Sequence, residues 1–149
     1  AIVYRSKEMQ HRFNAPYQIG VCPKERAGTC IMDKPQDADL QKMQLRHGDM
    51  VVLGTDGLFD NLFDEQIVEL IKEVGKKHKA ESIDQERVRN FHIAKDLCLY
   101  ARFITHLQHP QNVTPFGIAW QKQFNKPYPN GGKIDDISCV VCSVHHRSN

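Results

Sequence analysis

The sequence predicts an α+β domain, and three observations carry that reading. A short apolar run, Met50-Val51-Val52-Leu53, is β-branched at its centre and bounded by turn residues, Gly48-Asp49 before it and Gly57 after. Two stretches have apolar residues at helical spacing, Glu65–Val74 and a longer one from Ser82 or Asp84 to Leu107. A second apolar run, Cys139–Val144, reads as the last sheet strand.

The bulk numbers set the class. A chain of 149 residues can bury one real core, and 40% hydrophobic with 26% charged residues is ordinary globular composition. A net charge of +2 does not point to nucleic acid or a membrane surface as partner. The apolar runs are far shorter than a bilayer span, and no secretory or transit pattern opens the sequence. Five cysteines without regular spacing argue against a disulfide framework and for a reducing compartment. Cys139-x-x-Cys142 lies within a predicted strand, where residues three apart face opposite sides, so packing is favoured over zinc or redox chemistry.

Taken in order, Ala1-Ile2-Val3-Tyr4 reads as a strand. Gln18–Leu40 is polar and irregular and predicts a surface loop, with a short strand at Cys30-Ile31-Met32. Its Asp33, Asp37 and Asp39 lack the glycine and terminal glutamate of a calcium loop and are read as solvated. Gln41–Arg46 alternates apolar and polar and predicts a strand. Asp64 is the expected N-cap of the helix Glu65–Val74, and Gly75–Ser82 is read as a basic turn. In the long helix Val88, Phe91, Ala94, Leu97, Cys98, Ala101 and Ile104 form the expected core stripe. His106 and His109 suit its negative end, Pro110 stops it, and metal ligation by the pair lacks a third ligand. Thr114-Pro115 predicts the start of a helix Pro115–Gln123 that packs Phe116, Ala119 and Trp120 inward. Asn112-Val113-Thr114 matches a glycosylation sequon, which the free cysteines and following proline argue against using. Lys126–Lys133 is a loop, and His145-His146-Arg147 a disordered polar tail.

Asp56 stands at the exit of the central strand with Gly57 beside it, and Asp135 stands at the start of the last one. If those strands pair antiparallel, both carboxylates meet at one sheet edge, where oxygen ligands on rigid elements suit Mg²⁺ or Mn²⁺. A single Asp-Gly is also an ordinary turn. The larger pattern is more specific. Strand, Thr55-Asp56-Gly57-Leu58-Phe59-Asp60-Asn61, then helix resembles the D-G-L-[WF]-D motif of the metal-dependent protein serine/threonine phosphatases, the PPM family or type 2C. Gly131-Gly132-Lys133-Ile134-Asp135-Asp136-Ile137-Ser138 is similar to that family's G-x-x-D-[ND]-[IM]-[TS]. Arg5-Ser6-Lys7-Glu8, Phe13-Asn14-Ala15-Pro16-Tyr17-Gln18 and Thr114-Pro115-Phe116 resemble its mitochondrial branch, which implies a mitochondrial location.

The resemblance implies a four-layer α-β-β-α sandwich with two antiparallel sheets packed face to face, residues 1–149 forming the C-terminal portion of one phosphatase domain. It implies a phosphoprotein substrate and two Mg²⁺ or Mn²⁺ ions bridging a water or hydroxide that attacks phosphorus in line. Asp56 and Asp135 are then ligands of one metal. Asp60 takes an orienting or helix-entry role, Asp136 is either a turn residue or a hydrogen-bonding neighbour of a ligand, and Gly57 is structural. The family's upstream D-G-x-x-G and G-D-S motifs are not in this sequence, and with them go the bridging aspartate and a phosphate-binding basic residue. The chain by itself is therefore expected to show little or no activity and to expose an unpaired sheet surface. Two rivals stand beside this reading: a non-catalytic truncated module that binds partners, and another metal-dependent hydrolase that reuses a strand-end aspartate pair.

Overall fold

The computed structural model describes residues 1–26 and 28–146. Arg147 of the expected tail lies outside the described residues. The chain forms two compact units, residues 3–44 and residues 45–149 together with Ala1-Ile2.

In the smaller unit, β1 (Gln10–Arg12) and β2 (Ala15–Pro16) form a short antiparallel hairpin with an irregular register. Asn14 turns it with a φ of 53°, a conformation asparagine tolerates better than most residues. Beyond it the described residues of this unit are irregular apart from 3₁₀ turns at Lys24–Arg26 and Pro35–Asp37, as a Pro- and Gly-punctuated stretch should be. Cys22 and Cys30 are joined by a disulfide, which corrects the expectation of cysteines free throughout. The pair is local, eight residues apart within one loop, a contact that counting and spacing do not reveal. The loop aspartates hold the loop itself. Asp33 accepts from the Gln18 amide at 2.6 Å and pairs with His11 at 2.8 Å, and Asp37 accepts from the Lys34 amide at 2.7 Å.

No strand forms at residues 1–5, 30–32 or 41–46. A strand exists only through its ladder, and no described segment pairs with these runs, even though residues 41–46 alternate.

The larger unit is built on β3 (Met50–Gly54) and β4 (Cys139–Ser143). They pair antiparallel over five residues, from Met50↔Ser143 to Gly54↔Cys139. Cys139 and Val141 face the core while Val140 and Cys142 face away, so the C-x-x-C pair is split across the sheet as alternation requires. Both thiols are free, and burial pushes the Cys139 thiol up to about 11, with the nearby Cys98 adding to it. The strand expected to be buried is only half so. Leu53 and its cross-strand partner Val140 are 59% and 54% exposed on the outer face.

After a one-turn helix α1 (Asp56–Phe59), α2 (Asp64–Lys77) starts from Phe63, whose amide donates to the Gln66 side chain at 2.8 Å. Asp64 is thus the first helical residue rather than the cap. The helix also runs on through Gly75 to Lys77. A mid-helix glycine costs about 1 kcal/mol relative to alanine, a penalty that packing of the neighbouring Val74 offsets.

The long helix α3 (Ile83–His106) is capped by Ser82, whose hydroxyl accepts from the Gln85 amide. It packs on α2 and on β4, and its buried residues are Ile93, Leu97, Ala101, Ile104 and Thr105. Val88 and Phe91 of the expected stripe lie mostly in solvent. Their face is apolar enough to pass for core by spacing, but the sheet is reached by the neighbouring face. Helix α4 (Pro115–Phe124) begins at Thr114, whose hydroxyl accepts from the Gly117 amide at 3.1 Å. Phe116 is buried and Trp120 half-buried, while Ala119 is exposed. The core joins Leu58, Leu62, Ile67, Val74, Ile93, Leu97, Ala101, Ile104 and Val141.

This placement of the α3 core face predicts a contrast. Leu97→Ala should lower the free energy of unfolding in urea by about 2–5 kcal/mol, the usual cost of a buried cavity. Val88→Ala should stay within about 0.5 kcal/mol of wild type. Equal losses from both would return Val88 to the core.

Candidate metal centre

The β3–β4 ladder ends at Gly54↔Cys139, and the chain continues its pairing just beyond. The Thr55 amide donates to the Ser138 carbonyl at 3.1 Å. The Thr55 hydroxyl donates to the Asp136 carbonyl at 2.8 Å and accepts from the Ser138 amide at 3.0 Å. Threonine thus ties the segment that precedes β4 to the exit of β3. Gly57 then lies so close to that segment that a Cβ would sit 2.5 Å from the Asp136 carbonyl oxygen. Only glycine permits that approach.

A second tie comes from Asn61, buried to 1% exposure. Its side-chain amide donates to the carbonyls of Gly57 and Lys133, both at 2.9 Å, and its oxygen accepts from the Lys133 amide at 2.9 Å. The Lys133 peptide is thereby held at both its N–H and its carbonyl. Gly132, just before it, packs against helix α3, where a Cβ would meet the Ile104 carbonyl oxygen at 2.2 Å.

These ties bring Asp56, Asp60 and Asp135 together, one carboxylate oxygen from each lying within 4.8 Å of the others. Asp56 opens α1, Asp60 follows its last residue, and Asp135 sits on the extended approach to β4. The antiparallel meeting expected of Asp56 and Asp135 is therefore present. Asp60, expected only to orient or to enter a helix, joins the same cluster. Asp136 serves through its backbone, as acceptor for Thr55 and as donor to Asp135 Oδ1 at 2.9 Å.

Lys133 stands among the three carboxylates. Its Nζ is 2.5 Å from Asp60, 3.0 Å from Asp135 and 3.2 Å from Asp56, and 5.0 Å from the centre of the Phe116 ring. The lysine side chain is 12% exposed, against 16% for Asp60, 34% for Asp135 and 61% for Asp56. Burial pulls the Lys133 ammonium down, but the hydrogen bonds to Asp60 and Asp135, the charge of Asp60 and the bond to Asp56 outweigh it, and the net direction is up. The Asp135 carboxyl is held below its usual range, first by the Lys133 hydrogen bond and, against the pull of burial, by the Asp136 amide and the lysine charge. A lone lysine in a Gly-Gly-Lys loop end carries no signal of its own. Its position two residues before Asp135 was the available hint.

Oxygen-only donors on short, tied elements, with Asp56 and Asp135 open to solvent, fit a hard divalent cation. Among the described residues no other group of His, Cys, Asp and Glu has such spacing. His109 instead accepts the Gln111 amide at its ring nitrogen, and the Asn112 side chain is engaged with the Leu107 carbonyl.

No family model matches the sequence. Curated relatives do. A protein phosphatase PTC7 homolog fig from Drosophila willistoni is 36% identical over 143 residues, covering 96% of this chain and 42% of the relative. The Drosophila grimshawi protein of the same name is 32% identical over 150 residues, covering 99% of this chain and 46% of the relative. The chain thus spans less than half the length of these relatives. Among solved structures, that of the photosystem II phosphatase PBCP superposes with a TM-score of 0.69 at 26% identity, over 95% of this chain and 51% of that one.

The ion pair predicts a pH dependence of stability. A carboxyl whose folded pKa is depressed adds stability above its unfolded value and loses it as pH falls toward the folded one. A raised lysine adds stability below its unfolded value and loses it only in strong alkali. With EDTA present, the urea midpoint should be level from about pH 5 to 9 and fall below about pH 4. Asp135→Asn should make that acid decline shallower, and an unchanged decline would remove the Lys133–Asp135 pair from the account.

Proposed function

This chain belongs to the type 2C (PPM) family of protein phosphatases, and on that premise we propose that it carries the Asp56–Asp135 portion of a metal-dependent phosphoserine/phosphothreonine phosphatase site. The observation that supports it most is the meeting of Asp56, Asp60 and Asp135 at the end of the β3–β4 ladder. Three carboxylates gathered at one sheet edge offer the oxygen-only donor set that a hard divalent cation takes, which supports the metal-dependent reading over a non-catalytic module.

Asp56 and Asp135, the more open carboxylates, are the proposed ligands of a Mg²⁺ or Mn²⁺ ion. Such an ion, when bound, supplies an acidified water and neutralises charge on phosphoryl oxygens. This chain's residues do the positioning. Thr55 fixes the two strand exits against each other, Gly57 lets them approach, and Asn61 holds the loop that delivers Asp135. Asp60 is held back by Lys133.

A two-metal site needs more donors than these, and the relatives are more than twice as long as the segment they share with this chain. We assign the remaining ligands to those further segments, and residues 1–149 to the C-terminal portion of one phosphatase domain. By themselves these residues should bind metal weakly and turn over little. The resemblance of residues 5–8, 13–18 and 114–116 to the mitochondrial branch supports a mitochondrial location for the whole protein. Fractionation of cells expressing the tagged full-length protein should find it with mitochondria, and a wholly cytosolic pool would remove the assignment.

The test of function is hydrolysis of a phosphothreonine peptide by the full-length protein with Mn²⁺ or Mg²⁺. Loss of even an outer partner of a metal ligand costs about 10–100-fold, so Asp56→Asn should lower the rate by more than about 100-fold. A variant as active as wild type would take Asp56 out of the site. A wild type inactive with either metal on any phosphopeptide would sink the reading as a whole.

A further inference from the structure

The Lys133 ammonium occupies the space that a cation on Asp56 and Asp135 would need. It lies 3.2 and 3.0 Å from their carboxylates, and its third contact, to Asp60, is the shortest at 2.5 Å. An ammonium has three N–H donors, so the three carboxylates can use its whole capacity. Mg²⁺ sits about 2.0–2.1 Å from its oxygen ligands, which puts it within a few ångströms of Nζ. Two positive charges at that distance repel strongly in a partly enclosed site.

The lysine cannot simply drift off. Asn61 grips its peptide at both ends, and its side chain passes over Phe116. Its partners differ in what holds them. Asp60 is 16% exposed, and its carbonyl accepts the Phe116 amide at 3.0 Å. Asp56 and Asp135 are 61% and 34% exposed, and in each Oδ1 accepts the next residue's amide, Gly57 at 3.0 Å and Asp136 at 2.9 Å, so that Oδ2 alone faces the ammonium.

We propose that Lys133 is the resident counter-cation of this cluster, and that a divalent cation binds by exchange, taking Asp56 and Asp135 while Lys133 keeps Asp60. The inference rests on the metal-site reading above. Lys133 is then a positioning residue that weakens the metal affinity of the site and withholds Asp60 from ligation. With the metal absent, the same ammonium keeps three carboxylates from repelling one another. Exchange also balances charge: three carboxylates and one lysine leave a deficit that one divalent ion fills.

Titration calorimetry of the full-length protein with Mn²⁺ tests this. Lys133→Met should bind Mn²⁺ at least about tenfold more tightly than wild type, since a competing charge at this range is removed. Lys133→Arg, which keeps the competing charge, should stay within about threefold of wild type. In EDTA, Lys133→Met should melt below wild type, and saturating Mn²⁺ should raise its melting temperature by more than it raises wild type's. A lysine that merely braced the ligands would give the opposite affinity change, so binding equal to or weaker than wild type in Lys133→Met overturns the proposal. Should that variant not fold, amine labelling of wild-type Lys133, read by peptide mass spectrometry, decides. Labelling should rise when Mn²⁺ saturates the site, and labelling that is unchanged or reduced overturns the exchange. Asp56→Asn separates the two levels: if it binds Mn²⁺ as wild type does, the metal-site reading fails, whatever Lys133 does.

Discussion

The register of the β3–β4 ladder is the constraint on which the rest depends. Five pairs ending at Gly54↔Cys139 align two strands from opposite ends of the larger unit. A slip of one residue would turn Val141 out of the core and Cys142 into it. It would also move Thr55 off Ser138 and carry Asp135 away from Asp56. Core packing and site geometry thus rest on the same alignment, with α3 bearing on the inner face of β4.

Beyond the ladder, the site is held by polar side chains that bond to backbone. Thr55 and Asn61 each replace ladder hydrogen bonds where the chain leaves the sheet, and Asn61 does so while almost wholly buried. A buried amide of this kind stabilises only when its donors and acceptors are met, and here its nitrogen reaches two carbonyls and its oxygen one amide. The carboxylates themselves sit on short pieces, a one-turn helix and an extended approach, which such ties make rigid enough to gather charge at one place. Lys133 supplies the opposite charge, and the pKa directions of Lys133 and Asp135 express that attraction from its two sides.

The elements most legible in the sequence were those with local signals. Thr114 announced a helix start and its hydroxyl accepts the expected amide, while of the two starts open for the long helix, Ser82 or Asp84, the structure has Ser82 as the cap. Alternation in β4 separated Cys139 from Cys142 without any structure in hand. The readings that missed depended on partners. Residues 1–4 are apolar and 41–46 alternate like strands yet have no ladder, and Val88 and Phe91 repeat like core yet lie on the wrong face of α3. Periodicity reports that a face is apolar and not what will cover it.

The sequence by itself determined the α+β class, the Thr114 cap and the two aspartate motifs, because each is written in neighbouring residues. The family resemblance followed from those motifs and their order along the chain, and the relatives established the membership. Tertiary structure alone decided that Asp60 joins Asp56 and Asp135, that Lys133 stands among them, and that Cys22 meets Cys30. Those contacts are set by how a loop closes and how a side chain is aimed. Hydrogen bonds such as that from Asn61 to Lys133, made between segments distant in the chain, do that aiming.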